Sequence, residues 1–89
     1  MNQFTKDPNE TLDFTFDWSS WLPSGDTIST SVFTVDAGIT NASSSNTTTT
    51  ATIFLSGGTA GTRYKVANRI TTGGGRTAER TIIINVEDR

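Results

Sequence analysis

The chain has 89 residues, a net charge of −2, no cysteine and no histidine. That length gives one domain with one modest core and no room for a catalytic domain beside a binding domain. Without cysteine there are no disulfides and no thiolate metal sites. Without histidine the commonest general base, zinc ligand and pH switch are missing. The seven Lys and Arg residues are scattered, not clustered as a nucleic-acid backbone requires, so no nucleic-acid partner is expected. Leu, Ile, Val and Phe fill 19 positions, whereas Ser and Thr fill 27. Threonine is β-branched and suits an exposed strand, so the composition points to a thin β-sandwich with a Thr-coated exterior.

Residues 1–11 read as an extended lead-in with a turn at Asp7-Pro8-Asn9. No basic start with an apolar stretch follows Met1, so no signal peptide is expected and the chain reads as made in the cytoplasm. No apolar run reaches membrane-spanning length, so no membrane partner is expected. Three Asn-x-Ser/Thr triplets, at Asn9, Asn41 and Asn46, are what chance yields in a Ser/Thr-rich chain.

Residues 12–89 read as the single domain. Leu12, Phe14, Phe16 and Trp18 alternate with Asp13, Thr15 and Asp17, the period of a strand with one buried face. A loop with Pro23 and Gly25 follows, and Trp21 and Leu22 are expected to fold over one end of the core. Thr27–Val35 is a second strand whose apolar parity changes between Ile28/Val32 and Phe33/Val35, which a bulge would reconcile. Asp36-Ala37-Gly38 reads as a turn, Ile39 as the start of a short element, and Asn41–Asn46 as a polar loop. Thr47–Leu55 reads as a long strand with Ala51, Ile53 and Leu55 inward and Phe54 outward. Ser56–Gly61 is a flexible connection. Tyr64, Val66, Asn68 and Ile70 form the next inward set, Thr71–Arg76 a hairpin turn, and Ile82, Ile84 and Val86 the last strand before a charged end, Glu87-Asp88-Arg89.

About seven short strands at this spacing, with no helical period, predict an all-β immunoglobulin-like β-sandwich. Tyr64 after Gly61 is placed like the corner tyrosine of such domains, whose hydroxyl bonds nearby backbone.

Nothing in the chain reads as an active site. Asp13 and Asp17 share a strand face but stand roughly 13 Å apart by strand rise, too far for a glycosidase pair. Asp7, Asn9, Asp36 and Asn41 could offer oxygens to calcium, but no calcium-loop pattern exists and such residues ordinarily serve turns. Gly73-Gly74-Gly75-Arg76 lacks the Lys-Ser/Thr ending of a phosphate loop. No enzyme activity, metal or cofactor is therefore expected. Contacts with other proteins are expected at Trp21, at the outward Phe54 and at Arg76 on the hairpin tip. Phe4 would dock either on a neighbouring subunit or on its own sandwich. Trp18, Trp21 and Phe54 could instead serve a carbohydrate-binding or adhesive module.

The runs Leu12–Leu22, Gly25–Ser29, Ala51–Thr62 and Ile70–Arg80 resemble a family of small virion structural proteins of tailed phages, described as fiber-tail adaptors. The resemblance covers nearly the whole chain. It implies a non-enzymatic structural protein without a cofactor, made in the host cytoplasm and carried in the virion. Its partners would be other virion proteins of the tail or fiber, with several copies on the particle. Decoration of the capsid is the alternative that such small proteins leave open.

Overall fold

The computed structural model describes residues 2–88; Met1 and Arg89, the last residue of the charged end, lie outside the described residues. Among the described residues there is no helix, and seven strands form two sheets: β1 Asn2–Lys6, β2 Leu12–Asp17, β3 Ile28–Val35, β4 Ile39–Asn46, β5 Thr50–Gly57, β6 Arg63–Thr72 and β7 Thr77–Val86. One sheet has the order β1-β7-β6-β3 and the other β2-β5-β4. β1 runs parallel to β7, and every other pairing is antiparallel. Lettered A to G in chain order, the second sheet runs B-E-D and three strands of the first run C-F-G. Those are the two halves of the constant-type immunoglobulin order, but strand A lies beside G rather than beside B.

The extended lead-in is thus itself a paired strand, and the turn after it forms where Asp7-Pro8-Asn9 directs it. The Asp7 Oδ1 accepts the Asn9 N–H at 2.8 Å, and the Glu10 N–H reaches Asp7 O at 3.0 Å.

The core lies between the sheets and follows the period-two pattern. Ala51, Ile53 and Leu55 of β5 face Val66 and Ile70 of β6 and Ile84 of β7, and all six are fully enclosed. The register of β3 against β6 shifts between Ile28 and Thr30, a bulge that turns Ile28 inward while Val32 faces out.

Two segments differ from their sequence expectation. Asn41–Asn46 is not a loop but most of β4, paired to β5 with all its side chains exposed. Its strand form comes from backbone pairing at a sheet edge, not from side-chain burial, so side-chain periodicity carried no trace of it. Thr47–Thr49 is not strand but the β4–β5 turn. The Thr47 Oγ1 accepts the Thr50 N–H at 3.0 Å and the Thr49 N–H at 3.3 Å, the side-chain turn that Ser and Thr provide. Four identical threonines have no alternation to read.

Polar groups inside the sandwich are matched. The Trp18 Nε1–H donates to Asn68 Oδ1 at 2.9 Å, and Asn68 Nδ2 donates to Ser31 Oγ at 2.8 Å and to Val32 O at 3.3 Å. At the other end Tyr64 is held in a narrow seat. Its hydroxyl accepts the Thr59 N–H at 2.9 Å. Gly38 and Gly58 both have positive φ, and a Cβ on them would stand 3.0 Å from the Tyr64 ring and 2.8 Å from a Val86 methyl respectively. Lys6 is also enclosed there, its ammonium donating to Gly57 O at 2.7 Å and Asp7 O at 2.9 Å. Burial pushes the Lys6 ammonium below its usual 10.5, against the opposing pull of Glu10 and Asp7.

Truncating Phe16 or Ile84 to Ala should cost about 2–5 kcal/mol in urea unfolding, most or all of the stability available to a domain of this size. Replacing Asn68 by Ala should cost about 1–3 kcal/mol by the same measurement, because it strands the buried Trp18 N–H. Equal stability of the Asn68 variant would contradict the role given to that bond.

Candidate protein-contact surfaces

The loop after β2 forms because Asp17 starts it and Trp18 closes it. The Asp17 Oδ1 accepts the Ser19 N–H at 2.9 Å, and Trp18 O accepts the N–H groups of Trp21 and Leu22 at 2.9 and 3.0 Å. Trp18 then drops into the core at 1% exposure, while Trp21 remains 37% exposed. The two rings meet edge to face, with centroids 5.6 Å apart. Arg80 covers Trp18 with its guanidinium 4.2 Å above the ring, and donates to Asp17 O at 2.8 Å. Trp18 and Trp21 therefore do not present two open rings side by side, because Trp18 has no free face.

Arg76 sits on the β6–β7 hairpin beside this loop. The hairpin is fastened to Asp26, which accepts N–H groups from Gly74 at 3.1 Å and Thr27 at 3.0 Å. The Arg76 Nε stands 3.9 Å from the same carboxylate. Arg76 is thus half-engaged: exposed, but electrostatically tethered at one side. Trp21 and Arg76 lie on neighbouring loops at one end of the sandwich, whereas Phe54 lies apart from them on the outer face of the β2-β5-β4 sheet. Phe54 is 41% exposed, with Asp13 directly across from it on β2 and Ser43 on β4.

Two further apolar residues are exposed: Val32, which was not among the expected contacts, and Phe4, which was expected to dock on a neighbouring subunit or on its own sandwich. Val32 is 57% exposed on the outer face of the other sheet; it sits in an alternating strand, and the parity change left its direction ambiguous. Phe4 packs on its own sandwich, its ring 5.3 Å from that of Phe14, yet stays 40% exposed. Phe4 and Phe14 line an open groove of about 680 Å³ between the β1–β7 edge and the free edge of β2.

No cluster of three or more Asp or Glu side chains able to hold a metal occurs among the described residues. Of the loop oxygens considered for calcium, Asp7 serves its own turn and the Asp36 Oδ2 accepts the Lys65 N–H at 2.8 Å. No helix of the described residues is long and apolar enough to cross a membrane.

A hydrogen bond with the Thr72 side chain, then the Gly74 and Thr27 N–H groups and the nearby Arg76, hold the Asp26 carboxyl below its ordinary 3.8. The stability it contributes is complete above the unfolded value and is lost as pH falls below 3.8 through the lowered folded value. Thermal unfolding across that range should therefore show a smaller acid-induced decline for Asp26→Asn than for the wild type. Parallel curves would contradict the clamp.

Residues 6–85 match the family model described as podophage GP4 fiber-tail adaptor protein gp77. No curated protein matches the chain. The match takes in every strand from β2 to β6, the inward residues that close the core and the two loops that carry Trp21 and Arg76. The chain belongs to the podophage GP4 fiber-tail adaptor family.

Proposed function

We propose that this protein is a non-enzymatic virion component that joins other tail or fiber proteins by surface contact. The single observation that carries this reading is the family match over residues 6–85. The fold suits the role: an immunoglobulin-like sandwich with its polar interior matched and its apolar side chains exposed singly on separate surfaces. A bridging module needs contact surfaces that two partners can occupy at once. The Trp21–Arg76 end and the Phe54 face are separate in this way.

In this reading Phe54 and Trp21 act as aromatic anchors and Arg76 as a charged contact. A partner that displaced water from Phe54 would gain from the apolar area without any rearrangement of the sheet. The chain enters the virion in several copies, where weak contacts add through multivalency. Nucleic acid, membrane and cofactor take no part.

The test is copurification with mature particles. Wild-type chain should be retained after particle purification. Phe54→Ser should leave the unfolding free energy within about 0.5 kcal/mol of wild type, as expected of a surface substitution, and should be retained less. Particles that never contain the chain would overturn the reading, and equal retention of the variant would remove Phe54 from the contact.

A further inference from the structure

The two outer faces of the sandwich carry opposite charge. On the β2-β5-β4 face Asp13 and Asp17 point outward, Asp13 among the uncharged Thr15, Thr52 and Phe54 and Asp17 at the strand end where Arg80 reaches its carbonyl. On the β1-β7-β6-β3 face Arg63, Lys65 and Arg69 alternate with the enclosed Tyr64, Val66, Asn68 and Ile70, and so point outward together. Glu79 answers one of them, standing 3.9 Å from Arg69. Asp36 lies at the end of that sheet, its carboxylate on the Lys65 backbone N–H. Among the described residues no salt bridge occupies Asp13, Arg63 or Lys65.

The apolar side chains are arranged to match. Phe54 is the exposed aromatic of the acidic face, directly across from Asp13. On the basic face the row Thr34–Ala67–Thr81 crosses between Lys65 and Arg69. Its central residue, Ala67, has the smallest side chain among the outward positions of β6 and lies between two cations, Lys65 and Arg69. Val32 is exposed beside Arg69 in the next row.

We infer that the partner which fits the Phe54 face is a second copy of this chain, docked acidic face to basic face, with Phe54 over Ala67 and Asp13 against Lys65 and Arg69. The inference rests on the reading of Phe54 as a contact residue and names its neighbour. Because different faces meet, the contact is heterologous: each copy keeps one face free for the next, so successive copies close into a ring or continue as a stack. The strands of the acidic face cover roughly 350 Å² at standard strand spacing and rise. Two such faces bury well under the ~1,200 Å² at the low end of stable interfaces. The pairwise contact is therefore weak and salt-sensitive, and closure around a symmetric particle supplies what one contact lacks.

Sedimentation of the purified chain at low salt tests this, with concentration raised towards the millimolar range. The weight-average mass should rise with concentration and fall back when salt is added. Asp13→Arg and Arg69→Glu should each be monomeric, and their equimolar mixture should associate again, because the untouched acidic face of one meets the untouched basic face of the other and the two reversed faces meet likewise. Lys65→Glu replaces Arg69→Glu if the latter melts earlier than wild type. A wild-type chain that stays monomeric throughout, or association that both reversals leave unchanged, overturns the inference. A monomeric chain still retained on particles would overturn self-docking alone and leave the adaptor reading standing.

Discussion

The bond from Trp18 Nε1 to Asn68 Oδ1, 2.9 Å long and fully inside the sandwich, joins the end of β2 in one sheet to the middle of β6 in the other. A buried amide costs free energy unless its donors and acceptor are all used. Asn68 meets that demand by accepting from Trp18 and donating to Ser31 and Val32 on β3. The largest enclosed side chain, the loop that follows it and two strands of the opposite sheet are thereby set in one arrangement. The position of Trp21 follows, because its N–H is bound to Trp18 O and its ring leans on Trp18. So does the position of Arg80, which covers Trp18 and caps Asp17 O at the free edge of β2.

The opposite end is set differently. Tyr64, two close-packed glycines and the enclosed Lys6 fill it, and the Lys6 ammonium crosses from β1 to the Gly57 carbonyl at the end of β5. A core this small has few apolar side chains to give to its ends, and directed polar contacts take their place there. The outer faces are left to threonine, serine and a few charges. Hydroxyl pairs such as Thr15 with Thr52 bridge neighbouring strands on these faces, and single exposed side chains such as Phe54 and Val32 stand out from them. The surface chemistry thus follows from how little apolar material the interior needs.

The period-two runs made most of this legible. Leu12–Trp18 and Tyr64–Ile70 announced their inward sets, Asn68 included, and the parity change in Thr27–Val35 announced the bulge. The outward direction of Phe54 followed from Ala51, Ile53 and Leu55. What stayed hidden depends on long-range pairing. β1 is a strand because it lies against β7, from the far end of the chain, and β4 is one because β5 offers its edge; neither has a side-chain pattern of its own. The tethering of Arg76 by Asp26, and the enclosure of Lys6, are meetings of residues 50 or so positions apart, on the order of half the chain, which no local spacing encodes. The opposite charge of the two faces also needed the sheets. That Arg63, Lys65 and Arg69 share an outward face was implicit in the inward set of Tyr64–Ile70; that this face lies opposite the one carrying Asp13 became visible only with the sheet pairing.

The chain is a member of the podophage GP4 fiber-tail adaptor family, and its described interior is closed, with its polar side chains matched by hydrogen bonds; the adaptor role proposed for it therefore rests on its surfaces. The most direct measurement of that claim is a cryo-EM reconstruction of the whole particle, searched for density of this domain. The account predicts repeated copies between the tail and its fibers, with the Phe54 face covered. Density confined to the capsid shell, or none on the particle, would contradict it.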